Sequence, residues 1–134
     1  MKRINVTKLK YLGSGCECRC YAISERLVLK TYRSAKERDG AWSRQRKAYR
    51  AGVAPMTRGV FSVKGEFNFD FAYVSGRAAG TDNGLSNIAK GRLWKVIREL
   101  GYNTCDVRPG NWGKWHGKPV VIDFGGESLG HEHV

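Results

Sequence analysis

Asp106-Val107-Arg108-Pro109-Gly110-Asn111, and after it Val120-Val121-Ile122-Asp123-Phe124-Gly125, decide how this chain is read. Asp106 and Asn111 stand five apart on a stretch broken by Pro109 and Gly110. Their side chains can therefore turn toward a common cavity instead of lying along one helix face. Asp123 ends an apolar run that reads as a buried strand, and a carboxylate at such a strand end suits a hard cation with oxygen ligands. An acid, a cation, an amide and a second acid around two short strands are the groups needed to hold a magnesium nucleotide.

Outward from that core, 134 residues are enough for one compact domain burying roughly two-thirds of its unfolded surface, and too few for two independent cores. No run of about 18 apolar residues occurs, and Met1-Lys2-Arg3 leads into Asn5, Thr7 and Lys8 instead of an apolar signal core. A cytoplasmic protein without a membrane partner is the expectation. Cys16, Cys18 and Cys20 alternate within five residues, and neighbours on one strand rarely meet disulfide geometry, so reduced thiols are expected there and at Cys105. The formal charge is +12, and it is uneven: residues 1–59 hold 15 Lys and Arg against 4 acids, residues 60–134 hold 9 against 8. Such a field attracts acidic protein surfaces or nucleic acid, less so in salt. A solubilising basic surface is the plain alternative.

Pattern and punctuation predict an alternation of elements. Residues 9–13, 18–23 and 27–32 read as a three-stranded meander with turns at Gly13-Ser14-Gly15 and Ser24-Glu25-Arg26. Ser34-Ala35-Lys36-Glu37 has capping-box spacing and opens a helix that stops near Gly52. At 100° per residue Ala41, Trp42, Gln45, Ala48 and Tyr49 share its inward face, with Gln45 at the centre. Residues 60–63 and 67–74 read as a hairpin around Lys64-Gly65-Glu66, with Phe67, Phe69, Phe71 and Tyr73 on one side. Leu85, Ile88, Ala89, Leu93, Val96, Ile97 and Leu100 form the stripe of a second helix, and a small hairpin turns at His116-Gly117.

In this order the elements and motifs resemble the protein-kinase-like superfamily, especially its compact bacterial and phage members, over about residues 11–127. Leu12-Gly13-Ser14-Gly15-Cys16-Glu17-Cys18-Arg19-Cys20 is similar to the glycine-rich loop, Lys30 to the third-strand lysine, Asp106 to Asn111 to the catalytic loop, and Asp123-Phe124-Gly125 to the metal-binding triplet. The colinear set is far more specific than any member. The resemblance implies an α+β, truncated kinase-like fold in one domain, 1–134. Residues 1–74 would be an N-lobe with an antiparallel five-stranded sheet and one helix, 75–80 a hinge, and 81–134 a reduced C-lobe of one main helix and a small hairpin. It implies ATP and Mg2+ as cofactors. Gly13, Ser14, Gly15, Cys20 and Lys30 would bind the nucleotide, Asn111 and Asp123 the metal. Asp106 would orient or deprotonate the attacking hydroxyl, with Arg108 and Lys30 neutralising phosphate charge.

The chain departs from the family pattern at several places. By the resemblance, Cys18 replaces the third loop glycine, Cys20 would cover the base, and Thr104-Cys105 would precede the catalytic acid. No helix glutamate faces Lys30; Gln45 lies at the matching inward position and would offer a neutral hydrogen-bond partner. Nine residues follow Gly125, too few for an activation segment and peptide-binding helices. Two expectations follow. One is a minimal ATP-dependent kinase acting on a protein or on itself. The other is a weak or inactive kinase-like module, a pseudokinase, whose basic half engages an acidic partner or nucleic acid as a host-modulating effector. Dimerisation across the thinly covered cleft is a further expectation. A zinc site from Cys16, Cys18 and Cys20 with His116, His131 and His133 is a rival reading with poor spacing.

Overall fold

The computed structural model describes residues 3–14, 18–65, 68–79, 85–101 and 112–122. Eight strands and two helices follow in the order β1 (Arg3–Asn5), β2 (Lys10–Ser14), β3 (Cys18–Ala22), β4 (Leu27–Tyr32), α1 (Ala35–Arg50), β5 (Thr57–Lys64), β6 (Phe71–Gly76), α2 (Asn87–Glu99), β7 (Trp112–Trp115) and β8 (Lys118–Val121). The architecture is α+β. Six strands form one sheet in the order β1-β5-β6-β4-β3-β2, and β7 pairs with β8 alone.

The expected five-stranded antiparallel sheet is corrected to a six-stranded mixed one. β1 joins the edge in parallel with β5, Ile4 opposite Val63. Three residues with a single apolar side chain carry no period-two signal, so tertiary contact alone recruits them. Asn5 then caps a short 3-10 turn by accepting from Thr7 N at 3.0 Å, and Val6 plugs the sheet face beneath.

The second correction concerns the aromatic run. β6 begins only at Phe71, because Asn68 has a φ of 66° and breaks the extended chain. Phe69 is consequently no sheet residue. It is buried under two guanidiniums, Arg19 at 4.4 Å and Arg33 at 5.1 Å from its ring centre. Phe67 lies outside the described residues.

Both helices start where hydroxyls accept from the third amide on, Ser34 from Glu37 N and Ser86 from Ala89 N, each at 3.1 Å. α1 buries Arg38, Ala41, Gln45 and Ala48, while Tyr49 stays exposed and packs edge-on against Trp115. α2 buries Leu93 and Ile97, but Ile88 is 69 % exposed and leaves the predicted stripe.

Alternation divides the sheet between two cores. Leu29, Ala72 and Val74 join Val6, Tyr21 and Val63 on one face. Cys18, Tyr32 and Tyr73 join Ala41 and Ala48 of α1, Leu93 and Ile97 of α2, and Trp112 and Val121 of the hairpin on the other. Lys30, between Leu29 and Thr31, must point to the helix side. The β7–β8 hairpin is tied to the segment after β6 by paired bonds between Ala79 and Lys114, at 2.7 and 2.8 Å, and to the turn after α1 by Val121 N donating to the Val53 carbonyl at 2.8 Å.

Candidate functional site

Strand register builds the site as a row. Gly13 pairs with Cys20, Cys20 with Lys30, and Lys30 with Tyr73, across β2, β3, β4 and β6. Directly opposed residues share a sheet face with Cβ atoms about 5 Å apart, so these side chains converge on the helix side. Gly13 sits at a register shift with a φ of 151°, a conformation that side chains resist.

Lys30 is 6 % exposed. Its Nζ donates to Gln45 Oε1 at 3.2 Å and to the Ile122 carbonyl at 2.6 Å, and stands 5.8 Å from the Tyr73 ring centre. Burying an ammonium costs several kcal/mol unless acceptors replace its water, and these oxygens do so. The neutral Gln45 partner expected from the sequence is therefore present. The bond to Ile122 spans 92 residues and brings the chain position before Asp123 to the lysine.

Gln45 is fully buried and organises the surroundings. Its oxygen also accepts from Tyr73 Oη at 2.7 Å, and its Nε2 donates to the Pro55 carbonyl at 3.0 Å and to Ser75 Oγ at 2.7 Å. Ser75 Oγ in turn donates to the Gly76 carbonyl at 2.8 Å. Burial pushes the Tyr73 phenol up from its ordinary value, with the Lys30 ammonium pulling part of the way back. Burial, aided by Tyr73, pushes Tyr32 further up. The two rings stack with centres 5.9 Å apart, and both hydroxyls stay protonated at neutral pH.

Beside this network lies a cavity of about 270 Å³. Leu12, Cys20 and Val28 line it from β2, β3 and β4, Ser75 to Ala78 from the end of β6 and the connector, and Lys30 and Ile122 complete it. The lining is mostly apolar with two cationic residues, Lys30 and Arg77, which is the makeup of a small-molecule site.

Of the residues singled out in the sequence, the structure brings Cys20 and Lys30 to this cavity, with Gly13 beside them in the row. Gly15, Asp106, Arg108, Asn111 and Asp123 lie outside the described residues, as does the Ser14 side chain. Tyr73, Ser75 and the Ile122 carbonyl are site groups that sequence reasoning missed. Tyr73 was legible as the cross-strand neighbour of Lys30; the Ile122 oxygen had no local signal. Cys18 and Cys20 Sγ stand 4.0 Å apart, too far for a covalent bond. Among the described residues no three of His, Cys, Asp and Glu gather as a metal site, and His116 packs edge-on against Trp115; Cys16, His131 and His133 lie outside them. Among those residues, too, no helix is long and apolar enough to cross a membrane.

No protein-family model matches the chain, and no curated protein matches it.

Proposed function

We propose that this chain is a minimal protein-kinase-like phosphotransferase that binds ATP with Mg2+ and phosphorylates a protein or itself. The observation that supports this most is the 2.6 Å bond from Lys30 to the carbonyl of Ile122, at the wall of a 270 Å³ cavity. It joins the strand lysine to the residue preceding Asp123, the pairing that a kinase-like cleft needs.

The described lining fits a nucleotide. Apolar Leu12 and Val28 suit a planar base, and the Lys30 ammonium suits phosphate oxygens. In this reading the glycine turn at Gly13, Ser14 and Gly15 offers backbone N–H groups to phosphate. Asn111 and Asp123 would hold the metal, which supplies charge neutralisation between phosphates. Asp106 accepts the proton of the acceptor hydroxyl as it attacks, and Arg108 balances the charge of the transferring group. Transfer of labelled terminal phosphate, to the protein and to a lysate, tests the reading. Lys30→Met, Asp106→Ala and Asp123→Ala should each abolish it, and signal surviving all three would refute it.

A second reading has its own support: Gln45 meets Lys30 where family resemblance expects an acid. A neutral partner positions the lysine without an ion pair, which suits a kinase-like module that binds nucleotide with little turnover and engages an acidic partner or nucleic acid. Nucleotide binding that depends on Lys30, without detectable transfer, would favour it.

A further inference from the structure

On the far side of the molecule's second helix, away from Leu93 and Ile97, two apolar side chains face solvent: Ile88 is 69 % and Trp94 41 % exposed. Gly91 lies between them. A Cβ built on it meets no atom within 4 Å, so the fold does not require glycine there, although glycine disfavours a helix interior relative to alanine. Gly91, Trp94, Lys95, Arg98 and Glu99 line a groove of about 400 Å³.

We propose that this groove docks an acidic amphipathic helix of a partner protein. An apolar side chain of the partner would seat against Gly91 beside Trp94, with carboxylates on Lys95 and Arg98. Charge selects the occupant. In the groove Lys95 and Arg98 stand against Glu99, and Arg92 is exposed on the same helix, in a chain of net charge +12, so a second copy would meet like charge while an acidic helix meets its complement. A nucleic-acid strand could satisfy the two groove cations, but it has no aliphatic knob for the notch at Gly91 and no use for exposed Ile88. The inference does not rest on nucleotide binding.

The test uses the full chain and a fluorescent 16-residue peptide with leucines on one helical stripe and glutamates elsewhere, against a shuffled peptide of the same composition. Anisotropy should show saturable binding of the striped peptide, at least tenfold tighter than the shuffled one and weakened by salt. Gly91→Leu should weaken it tenfold or more while the thermal midpoint holds or rises, because the space beside Gly91 is open. Trp94→Ala and Arg98→Glu should weaken it similarly. Equal binding of the two peptides, indifference to Gly91→Leu, or stronger competition by an oligonucleotide or anionic vesicles than by the striped peptide would overturn the proposal.

Discussion

Gln45 uses its whole hydrogen-bonding capacity: two donors reach its oxygen and its nitrogen reaches two acceptors. Such an amide specifies more than a charge would. Gln45→Leu should destabilise the fold by about 2–4 kcal/mol in urea unfolding, since it strands the Tyr73 hydroxyl and the Pro55 carbonyl. Gln45→Glu should also destabilise, by about 1–2 kcal/mol, because a carboxylate has no proton to give the Pro55 carbonyl. A more stable Glu variant would show that the Lys30 side of the amide dominates. Lys30→Met should behave differently, with nucleotide affinity lost at a stability cost of about 1–2 kcal/mol, since the methionine relieves the burial of an ammonium but leaves the Ile122 carbonyl without its donor. Equilibrium unfolding together with nucleotide titration separates the two effects.

At the scale of elements, the hairpin completes the cavity because β6 ends in glycine. A Cβ at Gly76 would stand 2.6 Å from Trp115 Nε1 and 3.3 Å from Pro55 Cβ. Gly76→Ala should cost about 1–3 kcal/mol by overpacking and shift the hairpin that delivers Ile122, so nucleotide affinity should fall with stability. Affinity unchanged by that variant would mean the hairpin position does not matter to the cavity. Gly65 plays the same part at the other edge, where its φ is 99° and an added Cβ would lie 2.7 Å from Thr7 Cγ2. Elements were the most legible level of this chain. The capping serine at 34 and the apolar run of β4 each carry their own local chemistry, whereas the cap at Ser86 went unread and Ile88 was misplaced because an apolar residue at a helix start satisfies periodicity without touching a core.

For the whole molecule, two stacked phenols in one core set an alkaline limit. Both are raised in the folded state, so their contribution is fully present below the unfolded value of about 10 and is lost as pH climbs from there toward the folded values. Urea midpoints should be flat from pH 7 to 9 and fall above about 10, and Tyr32→Phe should flatten that fall. An equally steep fall in the variant would place the cause elsewhere.

By itself the sequence determined most of the strands, both helices and the inward position of Gln45 on α1, because alternation, capping and helical spacing are properties of residues a few positions apart, whereas the pairing of Gln45 with Lys30 was read only through the family resemblance. Tertiary structure alone decided that β1 joins the sheet in parallel, that Phe69 leaves the strand to lie under two arginines, and that Lys30 meets the oxygen of Ile122. Those outcomes are set by competition for surface and hydrogen-bond partners between segments far apart in the chain, and no local period records which partner wins.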